Sequence, residues 1–337
     1  MIIIRPISQK DQDVFVEYSF NSTLGIRNLP RGKEKLHDKI IQSEQSFLKD
    51  VHKPSNEQYF FVLEDLSTGK IGGTCGIIAS FNPSNSLNFK VHNVKHHTKN
   101  KHIIQDIPLL KLTAPIKEAS EICSLYLHPS YRHSGLGRLL ALSRFLFIAS
   151  HPYRFKKKII AEMRGFINEN LISPFWESVG RHFCNLSFVE LMSCIDQGTI
   201  EIHDIFPKHP IYLSLLPPEA QNAIGKTHES TKPAVLMLQN EGFKVINEVD
   251  ALEGGPNLIA PITRIRSITK SKVVQIDITN DLFEEKNDFL LSNTRMDFRA
   301  CCGHIEVLSK TKGLITADVA EALHLKKGDM IRYVSAH

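Results

Sequence analysis

Leu125-Tyr126-Leu127-His128-Pro129-Ser130-Tyr131-Arg132-His133-Ser134-Gly135-Leu136-Gly137-Arg138-Leu139-Leu140 holds a strand, a loop and a helix start in one run. The apolar strand ends at His128-Pro129. The loop has the spacing Arg-x-x-Gly-x-Gly from Arg132 to Gly137. Leu136 to Ser150 then reads as a strongly apolar helix. Glycines at 135 and 137 let backbone N–H groups approach a ligand with no Cβ in the way. The helix start points its positive end at the same place, which makes an anion site. A pyrophosphate fits such a site, and Arg132 and Arg138 add cations. A Walker A loop needs Gly-Lys-Ser/Thr and the dinucleotide fingerprint needs Gly-x-Gly-x-x-Gly; neither is present.

Working upstream, Glu121–Leu127, Ile71–Ala79 and Tyr59–Glu64 read as strands. Gly72-Gly73 suggests a bulge or a close backbone approach. Ile2–Arg5 is a short strand stopped by Pro6. Ser8 with Asp11 starts a helix running to Phe20, and Lys33–Leu48 is a second one. Gly25–Gly32 is a loop, and the lysine- and histidine-rich stretch from Asn82 to His102 reads as an exposed hairpin. Downstream, Lys158–Met163 is a strand and Ser173-Pro174 opens a helix. Pro217-Pro218-Glu219 begins a short helix, Thr231 caps another through Glu241, and Phe243–Val249 is a strand. Segments 173–188 and 231–249 share one plan, which hints at a second, related half. From about Asp277 the chain turns acidic and then β-rich. These readings give an α+β chain, a mixed sheet flanked by helices, divided 1–195, 196–276 and 277–337, the last a small appendage.

Length suggests roughly two domains at about 150 residues each. Apolar residues make up 42% and charged residues 23% of 337, ordinary globular usage that excludes a disordered, collagenous or membrane-dominated chain. The balance of 41 basic to 36 acidic residues, net +5, suits a polyanionic small ligand and falls short of a nucleic-acid binder. Ile2-Ile3-Ile4 before Arg5 is too short for a signal peptide, and no apolar run approaches the ~20 residues that span a bilayer. The expected location is the cytoplasm, with no membrane partner. Six cysteines without a C-x-x-C pair read as reduced thiols, with no metal site.

The order of these elements around this loop resembles the GCN5-related N-acyltransferases. More narrowly, the chain resembles bacterial arginine N-succinyltransferases. The matching segments include Ser120-Glu121-Ile122-Cys123-Ser124-Leu125-Tyr126-Leu127, Ala161-Glu162-Met163-Arg164-Gly165, Ser173-Pro174-Phe175-Trp176, Pro207-Lys208-His209-Pro210-Ile211-Tyr212, Glu241-Gly242-Phe243 and Gly254-Gly255-Pro256. The resemblance implies an acyl-CoA-binding domain over 1–195. It implies transfer of succinyl from succinyl-CoA to the α-amine of L-arginine, the first step of arginine breakdown. Succinyl-CoA is then a co-substrate, and no cofactor is permanently bound. Leu125 falls on the family's thioester-binding strand residue, with Leu127 on the same strand. Arg132, Gly135, Gly137 and Arg138 fall on the pyrophosphate loop, and His228 on the proton donor. Two loops depart from the family pattern: Gly25-Ile26-Arg27-Asn28-Leu29-Pro30, with Arg27 where threonine is usual, and Ala114-Pro115-Ile116-Lys117-Glu118. They keep another acceptor open, ornithine or a different amine.

Other residues carry two readings each. His92 and His96 have i,i+4 spacing for a metal, but a solvated hairpin explains them. Lys156-Lys157-Lys158 could meet the 3′-phosphate of coenzyme A or simply enter a strand. Cys123 could accept an acyl group, but strand alternation favours a buried small residue. Tyr126 could protonate a thiolate or pack in the core. Glu162 and Arg164 could pair or meet substrate. Arg144, Arg164 and Lys208 are unranked readers of the succinyl carboxylate. The tail Ile315-Thr316-Ala317…Gly328-Asp329 also resembles swapped-hairpin DNA-binding ends, which a salt-dependent affinity would reveal; its mixed charge makes a poor basic face, and no nucleic-acid partner is expected. A homo-oligomer stays open.

Overall fold

The chain begins with β1 (Ile2–Pro6), then a short 3-10 turn leads into α1 (Gln12–Asn21), followed by α2 (Lys33–Leu48). The turn is held by a capping box in which Asp11 accepts from the Ser8 backbone at 2.9 Å. β2 (Gln58–Asp65) and β3 (Lys70–Ile78) form a hairpin whose register slips at Gly72, the bulge that the glycine pair suggested. A second hairpin, β4 (Asn88–His97) and β5 (Ile104–Thr113), precedes β6 (Ala119–Leu127), α3 (Leu136–Ser150) and β7 (Lys158–Glu162). A helical segment follows: α4 (Pro174–Ser178), α5 (Arg181–Cys184), α6 (Phe188–Gln197), the two-residue β8 (Ile211–Tyr212) and α7 (Pro218–Ala223). Next come α8 (Lys232–Asn240), β9 (Lys244–Asp250), β10 (Pro256–Pro261) and α9 (Arg266–Thr269). The chain ends with β11 (Lys272–Thr279), β12 (Phe289–Asn293), β13 (Ala300–Gly303), β14 (Glu306–Val307), β15 (Lys312–Thr316), α10 (Ala317–Ala322) and β16 (Met330–Ser335). This computed structural model describes residues 1–21, 32–81, 87–97, 104–113, 116, 118–206, 208–281, 283 and 288–336.

Among the described residues one sheet carries every strand, in the order β14-β15-β11-β16-β12-β13-β1-β2-β3-β6-β7-β10-β9-β4-β5-β8. Two of its ladders are parallel, β6 with β7 and β11 with β15. This order changes the expected division. The segment expected to form a second half builds no sheet of its own, because β10 zips antiparallel onto β7 over five register pairs and β9 adds outside it. The boundary at 195/196 would cut α6, and the one at 276/277 would cut β11, whose neighbours β15 and β16 lie in the appendage. The hairpin expected at 82–102 lies later, over β4 and β5. It is not exposed throughout: Phe89 and Leu110 are buried in a cluster with Trp176 and Phe206, while Val94 is exposed.

α3 is apolar on all sides because it is covered on all sides. Leu139, Leu140, Leu142, Phe145, Leu146 and Phe147 are fully or almost fully buried, each contributing about 1.5–3 kcal/mol of transfer free energy. The appendage shares this core. Phe298 stacks edge-on to Phe61 and Phe147 at 5.6 and 5.3 Å, and Arg332 donates to Ser150 Oγ and the Ala149 carbonyl.

His151 is a second tie between these parts. It is 7% exposed, its ring is 4.9 Å from that of Phe147, and Nε2 lies 3.4 Å from the Arg295 carbonyl. Burial pushes its pKa below the usual value of 6.5, Arg154 and Arg332 push the same way, and the Arg295 carbonyl opposes them. An unfolded histidine binds a proton near pH 6.5 that the folded ring refuses. The stability linked to His151 is therefore full above 6.5 and lost as pH falls below it. Tm should drop between pH 7.5 and pH 5.5, and His151→Phe should drop less over that interval. Parallel slopes would remove His151 from this account.

Candidate active site

β6 and β7 pair at only three positions, Ala119 with Lys158, Ser120 with Ile159 and Glu121 with Ile160. Beyond these, β7 stays with β10 and β6 stays with β3 as far as Leu127. The two parallel strands part and open a wedge between them. From Ile122 to Leu127 the edge of β6 facing β7 has no strand partner among the described residues. A bulge accompanies the parting: Cys123 opposes Gly76 and Tyr126 opposes Thr74, so Ser124 and Leu125 together stand opposite Cys75. Ser124 takes φ +52°, and Thr74 Oγ1 donates to its carbonyl at 3.1 Å. The extra residue increases local twist and shifts the alternation. Cys123 and Tyr126 pack with α1 and α2, whereas Ile122, Leu125 and Leu127 pack on the α3 side. Without the bulge Leu125 would share the face of Cys123.

The loop follows directly. His128 N–H donates to the Gly72 carbonyl, and Arg132 Nε donates to the Leu127 carbonyl at 3.0 Å. Ser134 and Gly135 both have left-handed φ, +50° and +76°. Gly135 caps α3, its carbonyl accepting from the N–H groups of Arg138 and Leu139. A Cβ on Gly135 would meet nothing within 4 Å, so the space beside it is open; one on Gly137 would lie 3.6 Å from Leu127. Among the described residues none accepts from the backbone N–H of Ser134, Gly135 or Gly137. Unsatisfied amides at the start of a fifteen-residue helix form an anion cradle. The structure thus brings together Leu125, Leu127, Arg132, Gly135 and Gly137. Arg138, at the same helix start, also reaches the C-terminal tail. Its guanidinium donates to the Ala336 carbonyl at 2.9 Å, anchoring the start of α3 to the C-terminal tail.

His228 sits at the far end of β7. Its N–H donates to the Arg164 carbonyl at 3.0 Å, next to an antiparallel bridge between Gly165 and Thr227. Because β6 and β7 run parallel, this end and the loop after β6 lie at the same edge of the sheet. Nδ1 accepts from Ser230 N–H at 3.2 Å and lies 2.7 Å from Ser230 Oγ, which leaves the ring proton on Nε2. Burial lowers the His228 pKa below the usual 6.5 and the Arg164 charge lowers it further, with Glu229 opposing. Glu253, which the sequence reading did not single out, organises this corner. Its carboxylate accepts from Gly165 N–H at 2.9 Å and lies 4.0 Å from Arg164 Nε. The signal for it was the Gly254-Gly255 pair beside it: a Cβ on Gly255 would be 2.1 Å from the Met163 carbonyl.

The competing residues separate clearly. Tyr126 is buried against Tyr18, ring centroids 5.0 Å apart, on the α1 side. Burial pushes the Cys123 thiol up to about 12, which leaves no thiolate to accept an acyl group. Lys156 bridges to Glu118 at 2.9 Å, at the opposite end of β7 from His228. Arg164 pairs with Glu253. Lys208 is exposed. The side chains of His96, His97 and His102, and loop residues 25–30, 114, 115 and 117, lie outside the described residues. Among the described residues no cluster of three or more His, Cys, Asp or Glu could hold a metal, and no helix is long and apolar enough to cross a membrane.

Residues 2–267 match the family described as arginine N-succinyltransferase beta subunit, and residues 272–335 match its C-terminal domain. The chain belongs to the arginine N-succinyltransferase family. The arginine N-succinyltransferase of Escherichia coli (strain 55989 / EAEC) is 33% identical over 337 residues, 99% of this chain and 97% of the relative. That of Enterobacter sp. (strain 638) is 34% identical with the same coverage. The solved structure of arginine/ornithine succinyltransferase subunit AI from Pseudomonas aeruginosa superposes with a TM-score of 0.91 at 31% identity, covering 100% of this chain and 99% of that one. As a member of the arginine N-succinyltransferase family the chain is an acyltransferase of α+β fold. The family's C-terminal match begins at Lys272, the first residue of β11.

Proposed function

We propose that this chain transfers the succinyl group of succinyl-CoA to the α-amine of L-arginine and releases coenzyme A, in the cytoplasm. The observation that carries this reading is the wedge between β6 and β7, opening onto the bare amides of Ser134, Gly135 and Gly137, in a chain that follows the family over 99% of its length. The pyrophosphate takes the N–H groups of Ser134, Gly135 and Gly137, with Arg132 beside it. The pantetheine arm lies along the unpaired edge of β6, where Leu125 and Leu127 offer backbone groups. The neutral amine adds to the thioester carbonyl; a C–N bond forms and the C–S bond breaks. Once protonated on both ring nitrogens, with Nδ1 donating to Ser230 Oγ, His228 passes its Nε2 proton to the departing sulfur and is left neutral; the proton shed by the amine nitrogen restores the imidazolium.

The test is thiol release from succinyl-CoA against a panel of amines, with acetyl-CoA as the control donor. The distal carboxylate of succinyl needs a cationic or amide partner, and a charge-assisted hydrogen bond contributes about 1.5–3 kcal/mol, a factor of roughly 10–100. Succinyl-CoA should therefore exceed acetyl-CoA in kcat/KM by about tenfold or more. Equal values would reduce the activity to a generic acyl transfer. A second acceptor, ornithine, is favoured by one observation: the Pseudomonas relative is described as an arginine/ornithine succinyltransferase. A wild type inert toward arginine but active on ornithine would replace the acceptor and leave the reaction class standing.

A further inference from the structure

Arg144 is on α3, 2% exposed, on the face turned to the sheet. Nε donates to the Ala141 carbonyl of its own helix at 2.9 Å. One terminal nitrogen reaches two strand carbonyls, Gly76 at 3.5 Å and Cys123 at 3.4 Å. Gly76 and Cys123 are the register pair next to the bulge. Cys123 is also two residues past Glu121, where pairing between β6 and β7 stops. The guanidinium therefore sits at the closed end of the wedge. Among the described residues no carboxylate pairs with it, and the titratable groups facing it are the thiols of Cys75 and Cys123, both kept protonated by burial. Burying a cation without a counter-ion costs several kcal/mol, and an apolar side chain of similar volume would fill the space at less cost. What the cation gains is the pair of carbonyls beside the bulge.

We infer that Arg144 is a positioning residue: it grips the Gly76 and Cys123 carbonyls, fixes the bulge of β6, and so holds the Leu125 backbone toward the thioester. Thr74, on the Ser124 carbonyl, is the second half of the same grip. The inference rests on the acyl-CoA reading of the wedge. It separates from that reading because the amides of Ser134, Gly135 and Gly137, which that reading assigns to coenzyme A, make no contact with Arg144.

The test compares Arg144→Met, Arg144→Lys and Thr74→Val with wild type. Circular dichroism checks the fold, calorimetry measures free coenzyme A, and turnover is measured with both succinyl-CoA and acetyl-CoA. A misplaced reacting group costs on the order of 10²-fold. Arg144→Met should keep its coenzyme A affinity within about threefold and lose kcat by about 10–100-fold with both thioesters alike. Arg144→Lys should recover part of that loss, and Thr74→Val should show a smaller loss of the same kind. Amide hydrogen exchange at Ser124 and Leu125 should quicken in Arg144→Met by about tenfold. Unchanged kcat in Arg144→Met would overturn the inference. So would a loss confined to succinyl-CoA, which would make Arg144 the carboxylate reader instead. Should Arg144→Met fail to fold, normal kcat and exchange in both Arg144→Lys and Thr74→Val overturn it equally. A wild type that binds no coenzyme A would end the donor reading, while the exchange measurement would still decide the grip.

Discussion

Asparagine at residue 228 lowers kcat by about a hundredfold or more and leaves the affinity for succinyl-CoA nearly unchanged. A coenzyme A thiolate, with a pKa near 8.5 or above, leaves a tetrahedral intermediate sluggishly, and a general acid typically contributes about 10²–10⁴-fold. Asparagine keeps a polar group of similar size but cannot deliver a proton near neutrality. Its backbone N–H still meets the Arg164 carbonyl, so the fold at the end of β7 survives. The effect belongs to the transition state, and kcat should fall together with kcat/KM. The pH profile gives an independent check. Only the protonated ring can give up its Nε2 proton and end neutral, with Nδ1 donating to Ser230 Oγ 2.7 Å away, so kcat falls as pH rises through the His228 pKa. Because burial and Arg164 lower that pKa, this fall sets in below 6.5, and it disappears in His228→Asn. A variant that keeps most of its kcat would return His228 to a capping role, the role His128 already plays with Ser130.

Valine at Gly137 or Gly135 should raise the Kd for coenzyme A by about a hundredfold or more in a protein that still folds. At Gly137 the new Cβ makes an ordinary contact with Leu127 at 3.6 Å, and its methyl groups then cover the amides that the pyrophosphate needs. Losing two or three charge-assisted hydrogen bonds at about 1.5–3 kcal/mol each accounts for that change. At Gly135 there is room for the side chain, but φ of +76° makes a branched residue costly, by roughly 1–2 kcal/mol. Gly135→Val should therefore lower Tm as well, and Gly137→Val should leave it close to wild type. Calorimetry with coenzyme A reads the first effect and thermal melting the second. Unchanged affinity in a folded Gly137→Val protein would remove the loop from the donor site.

The loop and the helix behind it were legible because their cause is local. Ser8 with Asp11, Ser173-Pro174 and the apolar run from Leu136 to Ser150 each fix their own backbone, and all three appear where the sequence placed them. The bulge at Ser124 was not legible. Serine in a strand carries no signal for φ +52°; the signal lies in Arg144 and Thr74, which are distant in sequence. The sheet order was hidden for a similar reason: the placement of β10 between β7 and β9 depends on pairing across about a hundred residues. Helix-then-strand repeats look alike whether they start a new sheet or extend an old one, as β9 and β10 do beside β7. The contact of Arg138 with the Ala336 carbonyl was hidden in the same way, since the two are 198 residues apart.

On the proposed reading, the open edge of β6 binds its donor through main chain alone. N–H and C=O groups at Ile122–Leu127 are the same whatever side chains they bear, so the binding partner is chosen by the spacing of its own amides, as one strand chooses another. A carrier with amides along its length fits this edge. A short thioester lacking such an arm leaves the edge to water and should be a poor donor even with the correct acyl group. Side chains here are free to serve the core behind them, which is how Leu125 and Leu127 can pack toward α3 while their backbones face the wedge. Recognition and packing are thus written into different atoms of the same residues, and a change in one need not disturb the other.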